Sequence, residues 1–172
     1  MENLRFFKRY TTPEGFSDII LTSDGMFLTG LYFESPVKAE DFSHFEKEND
    51  LPAFGVTEKW LNEYFGGKNP DFTPDINLSV LTPFQRQTLE IVKEIPYGKS
   101  VTYGEIARKI AKERGIEKMS AQAVGGAVRS NPVCIIIPCH RVLGAGGKLT
   151  GYGGGLNNKI SLLKLENIRF SK

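Results

Sequence analysis

The spacing of apolar residues changes character about midway along the chain. Residues 17–35, "SDIILTSDGMFLTGLYFES", hold two runs rich in β-branched and aromatic residues on either side of Asp24-Gly25, a dipeptide that supplies the positive φ of a tight hairpin. Residues 51–67, "LPAFGVTEKWLNEYFGG", gather Phe54, Trp60, Leu61, Tyr64 and Phe65 on a helix that Gly66-Gly67 stops. The stretch "KNPDFTPDINLS" at 68–79, with Pro70 and Pro74 among Asp and Asn, reads as a linker. Residues 1–80 are thus predicted to form an α/β module and residues 81–172 a second, mostly helical one.

In the second half the period lengthens to that of helices. Thr82 is placed to cap a helix with Pro83 at its first position and Gln85 as the far member of a capping box. Thr102 and Glu105 repeat the device and open a helix with Ile106, Ala107, Ile110 and Ala111 on one face, ended by Gly115. Ser120 caps a third, "AQAVGGAVR", with Val124 and Val128 inward. Two short helices joined by "GIEKM" fit a helix-turn-helix, and equally an ordinary helical hairpin.

Charge bears on that choice. Net charge is only +2, but residues 1–80 carry 7 Lys+Arg against 14 Asp+Glu, a net −7, while residues 81–172 carry 15 against 6, a net +9. A basic half is drawn to polyanions, although the same lysines also serve as solvated helix faces. As a reader of bases the third helix is peculiar. Ala121, Ala123, Gly125, Gly126 and Ala127 offer a smooth surface without base-pairing groups, which suits contact by backbone and shape; Gln122 and Arg129 are the exceptions.

The chemistry sits in "NPVCIIIPCHRV". The β-branched run bounded by prolines is expected to be a buried strand or extended segment that delivers Cys139 at its exit, where a thiol is reachable and Arg141 and His140 follow. Nearby positive charge or a base raises the thiolate fraction of a cysteine. His140 is adjacent in sequence, so it reaches the thiol only through a water. On this local pattern a reactive and a structural cysteine both remain open. The chain has two cysteines and two histidines. A Cys₄ zinc site is therefore excluded, and His44 and His140 do not fall into ligand spacing with the thiols, so no metal is expected. The amino terminus lacks a signal-like apolar stretch, so the protein is expected to be intracellular and reducing conditions to disfavour a Cys134–Cys139 bridge.

The glycine-rich "LGAGGKLTGYGGGL" does not fit either phosphate-binding pattern. Leu149 and Leu156 stand where a third glycine belongs in G-x-G-x-x-G, and Leu149 follows Lys148 where a phosphate loop needs Ser or Thr. A mobile hairpin and a loop that brings backbone close to a ligand, with Tyr152 packed on it, are the two readings.

"IPCHRV", taken with "VTYGEIA", "AVGGAVRSNP" and "TGYGGGL", closely resembles the O6-alkylguanine-DNA alkyltransferases, also called methylated-DNA protein-cysteine methyltransferases. These motifs cover about residues 81–168; residues 1–80 match only in size and make-up. The resemblance implies a ribonuclease-H-like amino-terminal domain and a winged-helix-like carboxy-terminal domain. It implies suicide transfer of an alkyl group from O6-alkylguanine, and from O4-alkylthymine, in double-stranded DNA to Cys139. It implies as well that no cofactor takes part and that the protein acts as a monomer in the cytoplasm. His140, oriented by Glu166, would generate the thiolate through a water, and Asn131 would brace the turn after the recognition helix. Tyr103 would stand by the flipped nucleotide and donate to guanine N3. The carbonyls of Cys139 and Val142 and the amides from Tyr152 through Gly153 to Gly154 would read the guanine edge, while Lys159 would shape the thiol network. Gln122 and Arg129 would face DNA. Family members usually carry arginine at the position of Gln122 and some carry serine at that of Gly153, so this chain departs from the pattern at both.

Overall fold

The computed structural model describes residues 4–35 and 42–172. They form a mixed α/β protein with a small sheet and five α-helices among the described residues, divided into two compact units, Met1–Leu78 and Ser79–Lys172.

In the first unit, strands β1 (Phe6–Tyr10), β2 (Ile19–Ser23), β3 (Leu28–Phe33) and β4 (Glu46–Lys47) make one sheet in the order β3-β2-β1-β4. β2 runs antiparallel to both neighbours and β4 is parallel to β1. Helix α1 (Pro52–Phe65) packs on β2 and β3, sealing Ile19, Leu21, Leu28, Leu31, Phe54, Leu61 and Tyr64 completely. The predicted hairpin is present, but its connection is the four-residue stretch 24–27 instead of a two-residue turn. The reason is the Asp24 carboxylate, whose Oδ1 accepts from the backbone N–H of Met26 (3.0 Å) and Phe27 (2.8 Å) and so stabilises the longer loop, with Gly25 at φ +99°. α1 stops as expected. Gly67 takes φ +84°, its N–H reaches the Tyr64 carbonyl, and the Lys68 N–H reaches that of Glu63. Phe65 lies only half-buried, its ring edge-on to Phe16 at 4.9 Å between centroids. Residues 75–77 lie along the first residue of β3: Leu28 donates to the Asp75 carbonyl (3.0 Å) and accepts from the Asn77 N–H (2.9 Å).

The second unit is built on helices α2 (Pro83–Lys93), α3 (Tyr103–Arg114) and α4 (Ala121–Arg129), which pack against one another. Both capping boxes form: the Thr82 hydroxyl accepts from the Gln85 N–H and that of Thr102 from the Glu105 N–H, with the glutamine and glutamate returning a bond to the cap backbone. Ser120 caps α4 through the Ala123 N–H. Gly115 ends α3 in the left-handed region at φ +63°. The faces are those expected: Ile106, Ala107, Ile110 and Ala111 of α3 and Val124 and Val128 of α4 are buried.

The oily run does not form a strand. Residues 133–138 fold as consecutive tight turns, and Ile135 stands at φ +69°. The Ile136 N–H closes a three-residue turn on the Cys134 carbonyl (2.8 Å), and Pro138, at φ −82° and ψ 61°, centres another closed by the Cys139 N–H on Ile137 (2.8 Å). Asn131 makes this shape possible, because its side chain takes the Val133 N–H (2.9 Å) and gives to the Ile137 carbonyl (2.9 Å), two groups a neighbouring strand would otherwise satisfy. One 3₁₀ turn, Cys139–Arg141, follows. Strand β6 (Val142–Leu143) then pairs in parallel with β5 (Val101–Thr102), which fixes the turn beside the N-terminus of α3. Helix α5 (Leu156–Leu165) packs back on the same turn.

Candidate active site

Cys139 lies on the floor of a cleft of about 20 Å³ whose walls include Tyr103, Val128, Asn131, Cys134 and Tyr152. That is room for about one water. The thiol is therefore less open than its place at the end of the run predicts: the residue is 6% exposed, because the turns from 133 to 138 fold it inward instead of presenting it at a strand end. Asn131 Nδ2 donates to Cys139 Sγ at 3.1 Å. The Cys139 thiol is pulled below its usual range, first by a hydrogen bond from Cys134, and further by the Asn131 amide, the Tyr152 hydroxyl and the Lys159 charge, all working against burial. Both cysteines are free thiols.

Behind the thiol sits a buried ionic network. The His140 ring, wholly buried, bonds through Nε2 to Glu166 Oε2. Glu166, at the C-terminal end of α5, also accepts at Oε1 from Arg141 Nε (2.8 Å) and from the Gly98 N–H (3.1 Å). Burial alone would raise its carboxyl, but His140, Arg141 and the Gly98 amide bring it down to about 2. Burial lowers the His140 pKa despite the pull of Glu166. At neutral pH burial thus favours the uncharged ring, with its proton on the nitrogen facing the Glu166 carboxylate. Arg141 gives Nη1 to the Ile95 carbonyl (2.7 Å) and lies 5.6 Å over the Tyr97 ring.

Lys159, on α5, is also wholly buried, and its Nζ donates to the Val142 carbonyl (2.9 Å) and to Thr150 Oγ1 (3.3 Å). Burial brings its ammonium down to about 8. The Tyr103 hydroxyl, at the first turn of α3, meets the same Thr150 hydroxyl at 3.2 Å. Tyr152 is half-buried with its hydroxyl turned in, and burial followed by the two sulfurs pushes its phenol well up. Gly153 is exposed, whereas the buried Gly154 accepts from Asn158 Nδ2 (2.7 Å).

A larger cleft of about 740 Å³ opens alongside, lined by Tyr103, Gln122, Gly125, Arg129 and the backbone of Gly144 to Gly146. Gln122, Gly126 and Arg129 are exposed on α4, so the outer face of that helix is as smooth as its sequence implies. The structure thus sets Tyr103, Arg129, Asn131, Tyr152 and Gly153 with Cys139 around one small cleft, joins His140 to Glu166 and Lys159 to the Val142 carbonyl in the same unit, and places Gln122 on the wall of the larger cleft. Three participants were not anticipated: Arg141 as a Glu166 partner, Thr150 as a hinge between Tyr103 and Lys159, and Cys134 against Cys139. For Arg141 a signal was available, since a cation inside so oily a stretch must be paired.

The second unit is thus a helical domain that holds a buried thiol with a lowered pKa beside a smooth helix ending in Arg129. The model for the DNA-binding domain of 6-O-methylguanine DNA methyltransferase matches residues 83–168. A methylated-DNA–protein-cysteine methyltransferase of Haemophilus influenzae is 38% identical over 165 residues, 96% of this chain and 88% of that protein. The crystal structure of the Mycobacterium tuberculosis O6-methylguanine methyltransferase superposes with a TM-score of 0.80 at 37% identity, covering 95% of this chain and 93% of that one. The same organism's protein in complex with DNA superposes at 0.76 and 37% identity, covering 94% and 92%. The chain belongs to the methylated-DNA–protein-cysteine methyltransferase family.

Proposed function

We propose that the protein repairs DNA by moving the alkyl group of O6-alkylguanine, and of O4-alkylthymine, onto Cys139 in a single, stoichiometric reaction. The observation that carries this reading is a thiol held by Asn131 at 3.1 Å and pulled toward its anion, next to a neutral histidine oriented by Glu166. An alkyl group on guanine O6 lies inside the stack, so the nucleotide must swing out, at a cost of a few kcal/mol that is least where pairing is already damaged. α4 would enter the minor groove by shape, indifferent to sequence. His140 Nδ1 would accept the Cys139 proton through a water. The sulfur then forms a bond to the alkyl carbon as the carbon–O6 bond breaks, and the electron pair passes into the purine. Tyr103 would donate at guanine N3, yielding neutral guanine and a thioether that water at neutral pH does not cleave.

The Val142 carbonyl keeps one lone pair for the base edge beside its Lys159 bond, and the Cys139 carbonyl and the amides from 152 to 154 complete the recognition. A cleft of about 20 Å³ does not admit a purine, so entry requires Tyr152 and its neighbours to move aside. The order β3-β2-β1-β4 with β4 parallel to β1 supports a ribonuclease-H-like support domain for residues 1–80, and the β5–β6 pair beside α3, which packs on α4, supports a winged-helix-like binding domain for residues 81–172. We read the protein as a monomer of the cell interior that needs no cofactor; among the described residues no helix is long and apolar enough to cross a membrane.

The test is incubation with a duplex containing one O6-methylguanine, followed by peptide mass measurement. One methyl on the Cys139 peptide, absent from Cys139→Ala, is expected; tight binding with no mass change would make the protein a lesion-binding module instead. Gln122 lacks the guanidinium plane and charge of arginine for filling the gap left by the flipped nucleotide. Gln122→Arg is expected to raise the single-turnover rate on alkylated duplex, and an unchanged rate removes that role from the position.

A further inference from the structure

Cys134 is left over by the mechanism. It is buried, it is a free thiol, and it lines the same small cleft as Cys139. In an extended strand two residues five apart point to opposite faces and stand about 16 Å from each other. Here the positive φ of Ile135 and the paired turns around it reverse the chain and bring both cysteines onto the wall of one cleft of about 20 Å³, close enough for each thiol to act on the other.

Two thiols in one narrow, buried cleft do not both ionise, since the second charge would sit against the first. Which one holds the proton is set by the other neighbours. The Asn131 amide donates to Cys139, and the Lys159 ammonium acts on Cys139. The anion therefore settles on Cys139 and the proton on Cys134. Lining the cleft with Cys139 are also Tyr152, kept protonated by burial, and Tyr103 and Arg129, while His140, the next residue along the chain, is kept neutral by burial. Of these the Tyr152 hydroxyl is a further donor to the Cys139 sulfur, and the Cys134 hydrogen bond acts on that sulfur more strongly than it does.

We propose that Cys134 is a positioning residue whose thiol donates a hydrogen bond to the Cys139 sulfur and holds it as the reactive thiolate. This deepens the alkyl-transfer reading and rests on it for its biological meaning, but the thiol pair is measurable without DNA.

The experiment follows the Cβ carbon shift of Cys139 by NMR across pH in wild type, Cys134→Ala and Cys134→Ser, with thermal midpoints recorded for each. Single-turnover methyl transfer is measured over the same pH range. Removing the donor is expected to raise the Cys139 midpoint by about one pH unit, so that thiolate and transfer rate at neutral pH drop about tenfold. The transfer profile moves with it, and serine, a hydroxyl donor, restores part of the shift. An unchanged or lowered Cys139 midpoint in Cys134→Ala overturns the proposal and leaves Cys134 as filling. Should that variant not fold, Cys134→Val, similar in bulk and without a donor, carries the same comparison. A shifted midpoint in a protein that transfers no methyl would sink the repair reading while the thiol pair stands.

Discussion

Glu166 shows how one side chain ties stability to chemistry. Its carboxylate holds His140, Arg141 and the Gly98 amide together, and its pKa falls from an ordinary 4.5 to about 2. A depressed carboxyl contributes stability in full above its unfolded value and loses it as pH falls through the folded one. Between pH 4.5 and about 2 the protein should lose on the order of 3 kcal/mol from this group. His140, neutral through burial, adds a loss that begins as pH drops below its ordinary 6.5, because the unfolded chain takes that proton first. Urea midpoints measured from neutral to acid pH should show both steps in wild type, and the lower one should vanish in Glu166→Gln. Arg141→Met, which strips a buried carboxylate of its cation, should cost about 3–5 kcal/mol by the same measurement. Cys139, His140 and Asn131 were legible because they stand in short, chemically specific motifs, whereas Glu166 lies outside them and was named only through the family resemblance. Arg141 and Cys134 were not legible, since their partners, Glu166 and the nucleophile itself, meet them only through folding.

Among elements, the helices were readable and the nucleophile's segment was not. Thr82, Thr102 and Ser120 announce their helices through local hydrogen bonds that depend on residues three positions away. β1, with Lys8 and Arg9 between aromatic residues, escaped because its β character comes from pairing with β2. The run from Val133 to Ile137 was misread as extended because oiliness reports burial and not conformation. What decides is one amide, Asn131, which occupies the backbone groups a strand partner would use. A β-branched residue at positive φ costs about 1–3 kcal/mol. Glycine at 135 relieves that strain while losing the side chain, whereas glycine at 137 only loses. Ile135→Gly should therefore destabilise by about 1–2 kcal/mol less than Ile137→Gly in urea unfolding; equal losses would mean the turn carries no strain.

For the molecule as a whole the division of charge is the dominant fact. The unit Met1–Leu78 holds a net −7 and the unit Ser79–Lys172 a net +9, Ser79 and Val80 being uncharged. Duplex affinity of such a protein comes largely from displaced counterions. It should fall steeply with salt, and Arg129→Ala on the exposed face of α4 should reduce the log–log slope by about one without creating a sequence preference. Titrations at several salt concentrations test this, and an unaltered slope would take Arg129 off the phosphate backbone. The two-part charge was legible from composition, whereas the narrowness of the cleft over the sulfur was not, since it depends on how far Tyr152 folds inward.

That closed cleft has a consequence for the working life of the protein. On the proposed single-use reaction, a nucleophile would be wasted whenever a stray electrophile or peroxide arrived before the lesion did. With 6% of the residue showing and space for a single solvent molecule above it, the anion is shielded from casual encounters until a ligand large enough to part Tyr152 from the wall presents itself. Shelter and activation would be compatible on that reading, because one event, the opening of the cleft, would admit the substrate and uncover the sulfur together.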